Sequence, residues 1–420
     1  MNQKIKVAVG MSGGVDSSVS AYLLKKQALR LERSGSKSYE VVGLFMKLWH
    51  DPACDISREN ACCDDRALAD AQKVAEKIGI PLYVVDARKE FKDFVTDYFV
   101  DEYKNLRTPN PCIVCNRRIK FGWLLDFAKK IGCEYLATGH YARIVKTGMD
   151  SRLNRRQTKC IISTERGASG EIYLQDLSTI VRDDKGKGVC HLLKGSDSTR
   201  DQSYFLHQLD QEQLSQILFP VGEMTKDKVR KIAKEAKLPV FEKVESREIC
   251  FVPDDYRAFL KRHLGENYFK PGLIVNKAGF TVGKHNGMAN YTIGQRRSVN
   301  QESRIMNKGE NRKPLYVIGF NRQKNQLIVG EEKDLYKEEF EIGQMYWVNP
   351  ENEPRIMNKE LRDITVKIRY KAEEVSCDLT MIHDSSFLIQ TAKPVRAATP
   401  GQSAVLCYGE EVLGGGIIAS

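Results

Sequence analysis

Along the first third of the chain, short apolar runs alternate with stretches whose apolar positions recur every three to four residues. Residues 4–10 (KIKVAVG) read as a buried strand and 12–27 as a helix with Val19, Tyr22 and Leu23 on one face. Residues 39–46 form the next apolar run. Over 65–78, Leu68, Ala71, Val74, Ala75 and Ile78 share one stripe, and Gly79 ends it. A strand over 80–86, helices over 89–105 and 116–131, and a strand over 134–138 complete the series. Strand–helix alternation with short links predicts an α/β fold with a doubly wound parallel sheet, and ligands of such sheets sit beyond the carboxyl ends of the strands.

From Arg143 to about Gly195 the pattern weakens. Residues 148–172 are polar, basic and spotted with Gly and Ser, and they read as a surface insertion or hairpin. Helical periodicity returns at 203–209, at 225–238 (Val229, Ile232, Ala233 and Ala236 inward) and at 256–264. The last third changes to period two. Ile364, Val366, Ile368 and Tyr370 alternate with polar neighbours, as do Val375, Cys377, Leu379 and Met381. Half-buried antiparallel strands of this kind, with a hairpin at Gly409, predict a small antiparallel β-barrel at the C-terminus. The expected division is 1–215, a mixed central domain at 216–335, and the barrel at 336–420.

The 420 residues, 41% hydrophobic and 29% charged, exclude disordered and collagen-like classes. No apolar run approaches the roughly 20 residues that span a bilayer, and no signal or transit segment is visible, so a cytoplasmic protein is expected. Eleven cysteines in such a chain point to metal, redox or catalytic use rather than a disulfide framework. The net charge of +11 is uneven: residues 225–247 hold eight Lys/Arg against four Asp/Glu, and 296–324 hold eight against two. These two windows carry nearly the whole excess, which fits a polyanionic partner or a solvated surface.

Four motifs carry chemistry. Gly10, Met11, Ser12, Gly13, Gly14, Val15, Asp16, Ser17 and Ser18 lie where a strand turns into a helix. Glycines there let backbone N–H groups approach an anion, and the helix N-terminus adds positive potential. Asp16 reaches a magnesium ion or orients the loop. No Walker Lys-Ser/Thr follows, yet the loop predicts ATP binding. In Thr108–Asn116 (TPNPCIVCN), Cys115 falls at an expected helix start, with Arg117, Arg118 and Lys120 nearby, and this setting favours thiolate. A zinc half-site or a redox pair with Cys112 are the other readings, although zinc wants paired ligand spacing and no second C-x-x-C exists. Cys250, between Ile249 and Phe251, reads as a buried small hydrophobe or a second reactive thiol. Gly139 and His140 follow a strand end, where ligands bind, and a satisfied structural histidine is the other reading of His140.

The Gly10–Ser18 string resembles the PP-loop of the ATP pyrophosphatases, which cleave ATP between the α and β phosphates. The chain as a whole resembles the tRNA-specific 2-thiouridylases of the MnmA/TrmU family. The likeness runs from the PP-loop through FMKLWH (45–50), TPNPCIVCN, ATGHYAR, RDQSYFLHQL (200–209), SREICF, YTIGQRR (291–297), IRY (368–370) and TPGQSA (399–404) to GGGII (414–418).

The resemblance implies a PP-loop catalytic domain and a sulfurtransferase acting on wobble uridine 34 of tRNAs of the Lys, Glu and Gln type. Gly10 to Ser17, Met46 and Gly139 would contact ATP, with Mg²⁺ as its companion and no structural zinc. Cys115 would be the nucleophile and Cys250 the persulfide carrier, loaded by a sulfur-relay protein or cysteine desulfurase. The two would end as a disulfide, or sulfide would be freed. Asn110, Pro111 and Cys112 would face the target base. His140, Arg200, Asp201, Gln202, Arg369, Tyr370 and Gln402 would touch tRNA. Three positions depart from the familiar pattern: Cys112 replaces Asp, Arg200 replaces Lys, and Ser298 replaces Gly. The rival readings are another PP-loop enzyme, such as an amidotransferase-linked synthetase, and a zinc-stabilised RNA-binding module.

Overall fold

The computed structural model describes residues 4–49, 65–147, 188–244, 249–252, 255–296, 314–383 and 385–419, together with the strand backbones at 159–160, 164–166 and 172–174. In chain order the first ten strands are β1 (Ile5–Gly10), β2 (Tyr39–Lys47), β3 (Leu82–Asp86), β4 (Tyr135–Ala137), β5 (Ala142–Thr147), β6 (Lys159–Cys160), β7 (Thr164–Arg166), β8 (Ile172–Leu174), β9 (Val189–Lys194) and β10 (Ile217–Leu218). Strands β10, β4, β1, β2 and β3 form an all-parallel sheet in that order. Val7, Ala8 and Val9 are almost fully buried, as expected of a central strand covered on both faces.

Helix α1 (Val15–Arg33) runs six residues past its expected end. Its inner face continues through Leu24, Ala28 and Leu31, with polar Gln27 buried among them. Gln27 is satisfied there because its Oε1 accepts the Tyr39 hydroxyl at 2.8 Å. Helix α2 (Asp65–Ile78) has the expected limits.

The helix expected from 116 starts five residues earlier, at Pro111, with proline in the first turn and Asn110 as the cap. At Cys115 it widens into a π-helical stretch, Cys115–Trp123, before closing as Leu124–Lys130. A second π stretch, Lys92–Thr96, lies within the helical run 88–104 and packs against the first.

The remaining strands are β11 (Gly272–Asn276), β12 (Thr281–His285), β13 (Tyr316–Asn321), β14 (Gln326–Gly330), β15 (Tyr336–Trp347), β16 (Thr365–Lys367), β17 (Val375–His383), β18 (Ser386–Arg396), β19 (Ser403–Tyr408) and β20 (Glu411–Ile418). Strands β11–β14 build a small separate sheet over Ile274, Tyr291, Val317, Leu327 and Val329. Strands β15, β18, β17, β16, β19 and β20 form a barrel, closed by β15–β20 pairing. The expected hairpin is present, with Gly409 at φ +59° between β19 and β20.

The weakly patterned stretch after Arg143 belongs with this barrel. β9 pairs with β20, and β5 pairs with β9, so both extend the barrel sheet. β7 and β8 pair as the expected hairpin. Most of 148–172 and 297–313 lies outside the described residues. No helix among the described residues is long and apolar enough to cross a membrane.

Candidate active site

β1 ends at Gly10, and the chain turns through Met11–Gly14 into α1, which has no side-chain cap. Its first amide groups are therefore available to an anion. Gly13 sits at φ +70°, and a Cβ there would lie 2.3 Å from the Ala67 carbonyl oxygen, so only glycine fits. Ser17 Oγ accepts the Ser12 amide at 3.2 Å, and Ser18 Oγ donates to the Gly14 carbonyl at 2.7 Å. Gly139, beyond β4, lies flat on this turn: a Cβ would come within 2.7 Å of Asp16 C and Ser17 N. Met11 and Val15 are buried beneath the turn, and Met46, at the carboxyl end of β2, packs against the cores on both sides.

Asp16 ties the start of α1 to Tyr141 and Lys226. Its carboxylate accepts Lys226 Nζ at 2.7 and 2.9 Å and the Tyr141 hydroxyl at 2.8 Å. Lys226 is only 6% exposed. Both oxygens of Asp16 are engaged in this arrangement. A magnesium ion here would be held by the nucleotide's own phosphates and by Asp16 only if Lys226 moved. Lys226 escaped sequence reasoning because it is one of eight cations in a basic window. A second member, Lys243, pairs with Asp70 at 2.6 Å. Thr225 caps the helix Lys226–Glu235 by accepting the Lys228 amide, and Lys226 is buried at its first position.

The thiols occupy a different medium. Cys115 is buried among Phe91, Val95, Phe99, Ile119, Phe251 and Phe259, and Cys250 packs against the same cluster. Phe251 is the bridge, in edge contact with Phe91, Phe99 and Phe259 at 5.3–5.5 Å. The structure therefore brings together two cysteines separated by 135 positions.

The expected thiolate at Cys115 is not what the structure holds. Because the helix starts at Pro111, Cys115 is a full turn inside it, and burial pushes the thiol up to about 12. Lys120 pulls it down, but a negative charge on Cys250 or Cys112 pushes it further up. Cys112, in the first turn, is exposed. The protein crowded around it raises its thiol to about 11, against the pull of Lys120. Its open surface makes that rise the less weighty of the two, since water screens an exposed charge. None of the three cysteines is in a disulfide.

The thiol region and the loop share a wall. Gly10 lies against Leu124 of the thiol-bearing helix. Lys120 depresses His140 as well as the cysteines. His140 is buried between the rings of Phe121 and Phe219, at 5.6 and 5.8 Å, and its Nδ1 meets Thr138 Oγ1 at 2.8 Å. Burial holds it well below the usual imidazole range, so it is a neutral group.

The other residues expected at tRNA make contacts within the chain. Asp201 is 7% exposed and accepts the amides of Gly195 (2.9 Å) and Ser203 (3.1 Å). Gln202 exchanges hydrogen bonds with the Tyr141 backbone, and the Arg200 amide donates to the Asp197 carbonyl. Arg369 donates to Ala397 O and Thr399 Oγ1 at 3.0 and 2.7 Å, and Tyr370 lies 4.6 Å from the Phe205 ring. Gln402 donates to the carbonyls of Thr108 and Pro109 at 2.9 and 3.1 Å. Asn110 bonds Tyr204, whose hydroxyl donates to Ser403 O at 2.9 Å. The barrel loop 399–403 thus clamps the segment that presents Asn110, Pro111 and Cys112.

Among the described residues, no three His, Cys, Asp or Glu side chains are arranged to hold a metal ion.

Three family profiles tile the chain. They are described as a tRNA methyl transferase HUP domain (5–254), a tRNA methyl transferase PRC-barrel domain (257–331) and an aminomethyltransferase β-barrel domain (337–418). A tRNA-specific 2-thiouridylase, MnmA 2, of Thermoanaerobacter sp. (strain X514) is 40% identical over 98% of this chain and 97% of its own length. The MnmA of Geobacter metallireducens is 39% identical over 98% and 96%, and that of Clostridioides difficile 38% over 98% of each. The chain belongs to the MnmA family of tRNA-specific 2-thiouridylases. Among solved structures, a U34-tRNA thiolase NcsA from Methanococcus maripaludis shares 19% identity over 63% of this chain and 66% of its own, with a TM-score of 0.30. At that score the likeness decides nothing about the site. For an MnmA-family chain, the closed six-stranded barrel and the parallel sheet with its glycine turn are the expected frame.

Proposed function

We propose that this protein is the cytoplasmic sulfurtransferase that converts uridine 34 of tRNA to 2-thiouridine at the expense of ATP. The observation that carries the reading is the shared wall: one helix touches the anion turn at Leu124 and carries thiols at Cys112 and Cys115, with Cys250 packed beside them. Neither a methyl transferase nor an amidotransferase-linked synthetase needs that pairing.

In this reading the β and γ phosphates lie in the Gly10–Ser17 turn, which stabilises the developing pyrophosphate. Mg²⁺, when bound, neutralises phosphate charge. O2 of the uracil attacks the α-phosphorus and pyrophosphate leaves. Cys250 carries the sulfane sulfur, which replaces the activated oxygen at C2, and AMP departs with that oxygen. Cys115 attacks Sγ of Cys250 either before transfer, freeing sulfide for C2, or after the outer sulfur has bonded to C2, and either way a Cys115–Cys250 disulfide is left.

Its neutral resting thiol supports a reaction gated by sulfur loading, since burial suppresses premature oxidation. The target base must leave the anticodon stack. The clamp from Gln402 holds Asn110, Pro111 and Cys112 where that base arrives. Residues 1–215 carry the catalysis, with Lys226 and Cys250 reaching back into it, and the rest of 216–335 and 336–420 carry tRNA. His140, Arg200, Asp201, Gln202, Arg369 and Tyr370 brace or line that surface. tRNAs of the Lys, Glu and Gln type are the substrates, and a cysteine desulfurase or relay protein loads Cys250.

The test is nucleoside analysis of tRNA incubated with the protein, ATP, Mg²⁺ and a persulfide donor. The reading expects 2-thiouridine, dependent on all four. A methylated nucleoside, or ATP cleavage with no sulfur in the RNA, would overturn it.

A further inference from the structure

Cys112 is left over. The two-thiol scheme uses Cys115 and Cys250, and the familiar residue at 112 is Asp. Yet Cys112 lies one helical turn before Cys115, on the same helix, at its solvent-facing end. In a helix, Cα atoms three positions apart are separated by about 5 Å, within the range a disulfide bridges.

The three thiols also form a gradient of access: Cys112 exposed, Cys250 half-buried, Cys115 buried. In a disulfide between Cys115 and Cys250 the Cys115 sulfur lies inside the Phe91, Phe99, Phe251 and Phe259 cluster and only the half-buried Cys250 sulfur is open. Exchange requires in-line approach of the attacking thiolate, so a protein reductant meets less access at Cys250 than it would at the exposed Cys112.

We propose that Cys112 is a resolving cysteine that moves this oxidation from the buried pair to the surface. The inference rests on the thiolation reading above. The steps balance without an added oxidant. The Cys115 thiol attacks Sγ of the Cys250 persulfide anion, its proton passes to the outer sulfur as the Sγ–S bond breaks, and hydrosulfide leaves for C2 of the activated base. A Cys115–Cys250 disulfide remains.

Cys112 thiolate then attacks Sγ of Cys115, and Cys250 departs as a thiolate that takes up a proton. The product is a Cys112–Cys115 disulfide at the open end of the helix. A dithiol reductant returns both to thiols, supplying two electrons and two protons. Cys250 can then be reloaded before that reduction happens. Cys250 raises the thiols of both Cys112 and Cys115, which places it on their side of the helix.

The experiment is disulfide mapping of the full-length protein by differential alkylation and mass spectrometry. It is performed after one turnover on tRNA with ATP, Mg²⁺ and persulfide-loaded Cys250, in the absence of reductant. The expected result is 2-thiouridine together with a Cys112–Cys115 disulfide and an alkylatable Cys250. In Cys112→Ser the bond recovered is Cys115–Cys250, and the steady-state rate with a protein dithiol, divided by the burst amplitude, falls about tenfold. If 2-thiouridine forms while wild-type Cys112 stays a thiol throughout, the relay is wrong and the thiolation reading stands. If no 2-thiouridine forms at all, the thiolation reading itself has failed.

Discussion

The two ends of the active site are built on opposite principles. The anion turn is polar and ion-paired: its shape is fixed by hydroxyl bonds within Ser12–Ser18 and by the Asp16–Lys226–Tyr141 set. The thiol end is an aromatic core in which Cys115 carries no charge at neutral pH. The difference teaches that a site for a permanent anion must have its dipoles in place beforehand, whereas a site for a redox-labile sulfur gains from keeping its thiol neutral and dry until needed.

The sharpest way to break the comparison is to disable one end at a time. Cys250→Ser should eliminate 2-thiouridine and the protein-bound persulfide while pyrophosphate release continues; mass spectrometry finding the persulfide on another residue would refute this division. Asp16→Ala should do the converse, lowering pyrophosphate release about 100-fold with tRNA affinity largely kept, as read by a radiolabelled-ATP assay and filter binding.

Lys226→Met isolates the ion pair. It leaves a carboxylate without its cation, and because Asp16 is partly open to water the loss of stability should be about 2 kcal/mol rather than the larger cost of a fully buried pair. Chemical denaturation measures it. The thiol-end core should be untouched, so near-ultraviolet circular dichroism of the aromatic cluster should not change.

pH sharpens the contrast further. His140 lies well below its usual range, and His207 is brought down to about 4, both by burial. Below pH 6.5 the unfolded chain binds protons that the folded one refuses. Stability from these groups is therefore complete above pH 6.5 and is lost as pH falls through the window toward 4, at up to roughly 1.4 kcal/mol per unit per group. Denaturation midpoints at pH 7 and 5 should differ accordingly, and less so in His140→Gln.

The smallest effect belongs to the outer face of the helix Lys226–Glu235 and the turn after it. Replacing exposed Lys231, Lys234 and Lys237 with Gln should reduce the salt slope of tRNA binding by about 0.7–0.9 for each phosphate no longer neutralised. An unchanged slope would mark them as ordinary surface.

The anion turn was legible because it is contiguous: Gly10 to Ser18 carry the glycines, hydroxyls and helix start in one string. The limits of α2 were legible for a similar reason, since its stripe is unbroken. The thiol end was legible only as separate fragments. Nothing between Cys115 and Cys250 encodes distance, and the meeting is made by Phe251 inserting among Phe91, Phe99 and Phe259, which are tertiary contacts.

The ionisation of Cys115 was misjudged from the same cause. Neighbouring cations can be read from sequence, whereas desolvation and the earlier helix start at Pro111 cannot. Gln402 and Asp201 illustrate a third case: their motifs marked them as important, and the structure shows them bracing the site through backbone groups of Thr108, Pro109, Gly195 and Ser203. β9 was missed because it pairs with a barrel strand encoded more than 200 residues later, and β5 because it pairs with β9.

The central claim is that both ends act in sequence on one base, the first transferring its oxygen to phosphorus and the second replacing it with sulfur. A tRNA carrying heavy oxygen at O2 of uridine 34 tests this directly. The account predicts that the label leaves the RNA and appears in the phosphate of AMP, one for each 2-thiouridine formed. Label retained in the product nucleoside, or recovered in pyrophosphate or water, would contradict it.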